Sequence, residues 1–266
     1  MNLKTTIIHG LLSIGICFSA FAEKGLPLRK FRESGDSLDI SIQQELDRAV
    51  DLGVNWIKTQ QNTDGSWGGF SKLETTALCA LAFASQNNLK LTNTLHAALQ
   101  YIEERSSVQP LTNFSAVVWS AAALRVTGTT GCAAERNCAW LKEPKLALSP
   151  VDVILQRELL LGLALLEPED TVLAASQEYY KSLAHQLTAG NTSMLQMWLD
   201  ARVINRVGRG QLVKAQGQRV DWRRIFARKI ISTQKIDPLG GGFWNGINDS
   251  QVLQNTALAI LISKEL

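Results

Sequence analysis

Three histidines, four cysteines and six prolines in 266 residues leave several kinds of protein out of reach. No CxxC or HxxxH spacing occurs, and beyond the first 22 residues only His96 and His185 remain, so no metal centre is expected. Nothing in the chain calls for a cofactor. After the N-terminal segment no stretch approaches the roughly 20 apolar residues that a membrane span requires. Few prolines and few alternating β-branched runs speak against a sheet protein. Charge of one sign is lacking too: 27 basic residues stand against 24 acidic ones, so nucleic acid is not implied as a partner.

The N-terminus is the first thing present in strength. Lys4, an apolar stretch from Ile7 to Ala20 and the small-x-small triplet Ala20-Phe21-Ala22 read as a secretory signal over residues 1–22. The mature chain then begins at Glu23, carries +2, and is exported to a periplasm or beyond. Cys17 offers a lipid-attachment reading, but Ile16 stands where such a site wants a small residue. Residues 23–39, charged and containing Gly and Pro, read as a flexible leader. Residues 40–266, drawn from a chain that is 45% apolar and 19% charged, suffice for one domain with a substantial core. In an oxidising compartment Cys132 and Cys138, six apart in a polar stretch, read as a local disulfide. Cys79 reads as a small core hydrophobe.

Apolar periodicity near 3.6 predicts helices at about 40–60, 73–87, 93–105, 113–127, 151–166, 170–188, 192–207, 219–234 and 249–263, with no credible strand. The fold class is therefore all-α. The helices at 40–60, 93–105 and 219–234 are amphipathic and charged, which suits an outer layer. Those at 73–87, 113–127 and 249–263 are nearly uncharged and suit an inner one.

Two stretches repeat one plan. Gln61, Gly65 and Trp67 correspond to Gln234, Gly242 and Trp244, and Leu73-Glu74-Thr75-Thr76-Ala77-Leu78 corresponds to Leu253-Gln254-Asn255-Thr256-Ala257-Leu258. A helix, a turn and a second helix form the unit. With its Q-x-x-x-G-x-W signature and Trp56-Ile57 ahead of it, the first copy resembles the squalene cyclase and protein prenyltransferase repeat. The second departs from it: seven residues rather than three separate Gln234 from Gly242, and Lys229 takes the aromatic position. The resemblance implies an α/α toroid of about five hairpins, with inner and outer helix rings around a cavity. In the turn, the Gln amide is expected to satisfy main-chain groups that a helix end leaves unpaired.

For chemistry, cyclases of that family protonate an isoprenoid from a D-x-D-D-T motif. Glu167-Pro168-Glu169-Asp170-Thr171 is similar in order, which makes Glu167, Glu169 and Asp170 candidate acids. The same residues suit an ordinary helix start. Glu74 is a lone carboxylate at another helix start. Prenyltransferases of the family hold zinc with Asp, Cys and His, and no local motif surrounds Cys79 or His185 to support that. Phe83, Phe114, Trp119, Met194, Met197 and Trp198 lie on candidate inner helices, where aromatic and sulfur groups either wall a cavity for an isoprenoid or pack the core. Of these, Phe83, Trp119, Met194 and Trp198 are the candidate binding residues.

Between Arg202 and Lys229 stand Arg202, Arg206, Arg209, Lys214, Arg219, Arg223, Arg224, Arg228 and Lys229 against Asp221 alone. That segment either draws an anionic group or forms a solvated helix face. The functional expectation is an exported toroid that binds a hydrophobic, isoprenoid-like molecule or a protein partner. An isoprenoid-processing enzyme with a non-standard acid motif is the alternative, and a structural component without ligand the third.

Overall fold

The computed structural model describes residues 38–86, 92–108, 114–129, 177, 179–183, 192–214 and 217–266. The predicted signal segment, most of the predicted leader, Cys132, Cys138, Glu167, Glu169, Asp170 and His185 lie outside the described residues.

The described residues are mostly helical: α1 (Ile40–Thr59), α2 (Lys72–Ala84), α3 (Thr92–Val108), α4 (Phe114–Val126), α5 (Met194–Arg206), α6 (Trp222–Thr233) and α7 (Asp249–Glu265), with helical backbone also at 179–183. The expectation of no strand needs correction. Short antiparallel ribbons pair β1 (Leu212–Val213) with β2 (Arg219–Val220), and β3 (Gln234–Ile236) with β4 (Gly242–Trp244). The second ribbon is the physical content of the longer spacing in the second signature. Gln234 pairs with Trp244 and Ile236 with Gly242, while the Asp237 carboxylate accepts from the amides of Leu239 and Gly241 to close the tip. Strands this short leave no alternation in sequence from which to predict them.

Burial follows the two helix characters. In α1 the buried positions are Leu46, Ala49, Val50, Gly53, Val54 and Ile57, one stripe at helical spacing. In α2 every residue from Thr75 to Phe83 is buried, as is every residue from Thr256 to Ile262 in α7. A helix covered on all sides lies inside; a striped one lies over it. Side-chain caps start three of the helices: Ser193, Asp221 and Asn248 each accept from the amide three residues on.

The packing order is informative. Helix α2 packs against α4 and α7, and α7 packs against α5. Trp119 of α4 then meets Trp198 of α5, ring centroids 5.3 Å apart. Helix α3 lies on α2, and α1 lies on α7. The start of α7 meets the start of α2: Ser250 donates to the Phe70 carbonyl, and one turn further Gln254 donates to Thr75 Oγ1 at 3.1 Å. The two helices therefore run parallel and in register. Leu38 is buried, and Asp39 lies 3.7 Å from Arg224.

Candidate functional site

The repeat motif makes the same contacts twice. Trp67 donates its indole N–H to the Ile57 carbonyl at 2.7 Å, and Trp244 donates to that of Ile230 at 2.9 Å. Each indole thus adds a donor to a carbonyl in the last turn of the preceding helix; the Ile57 carbonyl also accepts from the Gln60 amide at 3.0 Å. The backbone amides of Trp67 and Trp244 donate to Thr76 Oγ1 (2.9 Å) and Thr256 Oγ1 (3.2 Å), and both hydroxyls donate in turn to the carbonyl four residues back.

The glutamines do something other than the sequence suggested. Gln61 Nε2 donates to Gly65 O within the turn and to Thr94 O in α3, both at 2.9 Å. Gln234 Nε2 donates to Ala49 O in α1 at 2.7 Å. The Gln therefore ties its turn to the next helix of the outer type, while the Trp serves the helix end. The motif glycines are required by space. Gly65 sits at φ 81°, and a Cβ there would lie 2.5 Å from Ala97 O; one on Gly242 would lie 2.3 Å from Gln234 Nε2. Lys229, the departure from the aromatic position, donates to Thr192 O at 2.8 Å, whereas Trp56 stacks on Phe243 with centroids 5.3 Å apart.

The nominated aromatic residues are engaged with protein. Phe83 meets Trp67 edge-on at 5.4 Å. Trp119 and Trp198 are both buried against each other, and the Arg202 guanidinium lies 5.2 Å from the Trp198 ring. Met197 is fully buried and Met194 is partly buried against the core.

The basic segment divides into internal and external parts. Arg202 is buried and pairs with Glu265 at 2.9 Å; Asn205 also donates to that carboxylate. Arg223 donates to Gly210 O at 2.8 Å and lies over Trp222. Arg219, Arg224 and Arg228 are exposed. Beside them is a cleft of about 250 Å³, with Leu38, Leu212, Val220 and Trp222 among its apolar lining and Arg219, Arg223, Arg224, Asp39 and Asp221 among its polar lining.

At the other end of the α6–α7 hairpin is a feature that sequence reasoning missed. Phe70, three residues after Trp67, is 83% exposed, and Ile247, three residues after Trp244, is 93% exposed. They occupy equivalent positions in the two repeats, on turns that touch through Ser250 and Phe70. The repeat alignment places a large apolar residue at both positions but does not show which way either one faces. Glu74, in the first turn of α2, makes no hydrogen bond or ion pair to the described residues, and its partial burial raises its carboxyl pKa above the ordinary range. Asp64, by contrast, is held low by the Ser66 hydroxyl, with Lys72 adding at 3.4 Å.

Among the described residues no three His, Cys, Asp or Glu side chains gather where a metal ion would sit, and no helix is long and apolar enough to cross a membrane. No protein-family model, curated protein or solved structure matches the chain.

Proposed function

We propose that this chain is an exported α/α toroid of the squalene cyclase and prenyltransferase type, serving as a binding module whose turn rim docks a protein. Support for the closed form comes from an equivalence. Helix α1 lies on α7 as α3 lies on α2, and Gln234 reaches α1 as Gln61 reaches α3. In an open solenoid the first helix has no preceding repeat to lie on.

The observation that carries the function is the repeat-equivalent exposure of Phe70 and Ile247. Exposed apolar residues that gather on one face mark interaction surfaces, and the turns that carry Phe70 and Ile247 are joined by the bond from Ser250 to the Phe70 carbonyl. Support for the rim over the interior comes from Phe83, Trp119 and Trp198, whose rings already have protein partners.

A photo-cross-linking residue placed at 70 or 247 in exporting cells is expected to give discrete protein adducts, and the same residue at the exposed position 44 none. Equal labelling at all three positions, or none, sinks the rim reading. Organic extraction of the purified mature chain is expected to release no stoichiometric isoprenoid or lipid. Release of one would return the function to the interior of the ring.

A further inference from the structure

The exposed large apolar residues of the described chain fall at two places. Phe70, Ile236, Leu239 and Ile247 stand on the turn and ribbon that precede α2 and α7, whereas Ile40, Val213 and Ile225 stand around the start of α6. The first group belongs to the rim. The second sits among arginines.

Three local geometries bring that second group together. In α6 the buried positions are Trp222, Phe226, Ala227 and Ile230, which turns Arg224, Ile225 and Arg228 to the opposite face, and all three are exposed. In the β1–β2 ribbon Val213 and Arg219 are directly paired, so they project from one face; both are exposed, while Leu212 on the other face is buried. Asp39 lies 3.7 Å from Arg224, which sets Ile40 beside the first turn of α6. The polar cleft lined by Asp39, Arg219 and Arg224 joins the three.

Charge at this end is unbalanced. Arg209, Lys214, Arg219, Arg223, Arg224 and Arg228 are met by Asp39 and Asp221, and Asp221 also caps α6 through the Arg224 amide. Arg209, Arg219 and Arg228 make no hydrogen bond or ion pair to the described residues. A protein-binding centre draws on aromatic anchors in an apolar pocket and keeps its charge at the edge. Here the order is reversed: the cleft in the middle is polar, the aromatic beside it, Trp222, is buried, and aliphatic tips stand among guanidinium groups. A bilayer surface requires no fitted pocket. It admits aliphatic side chains between headgroups, offers phosphates to guanidinium forks and, when anionic, draws every cation near it.

We infer that the start of α1, the β1–β2 ribbon and the exposed face of α6 form a surface by which the chain rests on an anionic membrane. Ile40, Val213 and Ile225 enter the headgroup layer, and Arg219, Arg224 and Arg228 meet lipid phosphates. This is contact with a surface and not a span, since no described helix is long and apolar enough to cross. It goes beyond the reading of the rim, which lies at the far end of α6, 12 residues or about 18 Å along the helix.

Flotation of the purified mature chain with vesicles tests this. Binding is expected to vesicles of phosphatidylglycerol and phosphatidylcholine in equal parts, with none to phosphatidylcholine alone, and added salt is expected to weaken it. Arg219→Gln and Arg228→Gln, both exposed changes that leave the core intact, are each expected to lower partitioning about fivefold. Ile225→Ser is expected to weaken binding and to leave its salt dependence as in the parent. Arg219→Lys and Arg228→Lys keep the charge and are expected to bind as the parent does, as is Phe70→Ser at the rim.

A chain that stays off anionic vesicles, or that takes both vesicle types equally, overturns the inference. So do lysine variants that lose binding as the glutamine variants do, because that marks a fixed oxyanion site on a partner of defined shape. Loss of vesicle binding in Phe70→Ser overturns it too, by moving the contact to the rim. Cross-linking at positions 70 and 247 is read separately, so either reading can fail while the other stands.

Discussion

Gln234 donates its side-chain amide to the carbonyl of Ala49, 185 positions earlier in the chain. Ala49 stands seven residues before Trp56-Ile57 in α1, and Thr94, which receives Gln61, stands seven before Tyr101-Ile102 in α3. One bond type therefore joins neighbouring repeats in one case and the last to the first in the other.

Gln234→Ala removes one such bond and is expected to lower the unfolding free energy by about 1 kcal/mol, whereas Gln61→Ala removes two and is expected to lower it by about 2 kcal/mol. Urea unfolding of both variants checks this. A loss at Gln61 with none at Gln234 removes the argument that the last repeat is bonded as the first is.

The motif threonines carry more. Thr256→Val keeps the shape but strips the acceptor from the buried Trp244 amide, and Thr76→Val does the same to Trp67. An orphaned buried donor costs about 1–3 kcal/mol. Serine at either position keeps the oxygen and is expected to lose less than valine. Equal losses for serine and valine would mean that packing of the methyl, not the hydrogen bond, is what matters.

Glu74 gives a pH signature. Burial raises its folded-state pKa, so between the ordinary glutamate value and the raised one the folded chain holds a proton that the unfolded chain has released. Its contribution to stability therefore falls as pH climbs through that window. Glu74→Gln, which places in α2 the residue that α7 has at Gln254, is expected to raise the melting temperature at neutral pH and to leave it unchanged well below the window. Parallel melting curves across pH for parent and variant would contradict this.

Cys79 is fully buried, and burial pushes its thiol pKa far up. A maleimide is expected to leave it unlabelled in the folded chain and to modify it at the rate of opening in mild denaturant. Rapid labelling without denaturant would place Cys79 at an accessible surface.

Much of the helical framework was legible because long amphipathic or uncharged runs carry their period with them. Seven of the nine predicted helices match described elements to within about three residues at either end. The twofold motif was legible as an alignment, including Thr76 opposite Thr256, yet the hydroxyl's part in holding the Trp amide needed three dimensions. The ribbons were hidden because strands of two or three residues have no period. Phe70 and Ile247 were hidden for another reason: an apolar residue in a turn looks the same whether it folds inward or stands out. Lys229 looked like a defect of the motif, and its bond to Thr192 shows a polar contact where Trp56 uses a stacked ring.

The in-register meeting of α2 and α7 bears on how the chain reaches its native state. Thr75 and its partner Gln254 are 179 residues apart, so the apolar surface of α2 stays incompletely covered until α7 has been made. Such long-range closure slows folding and exposes intermediates to aggregation. With α7 still to arrive, α2 cannot lock into place.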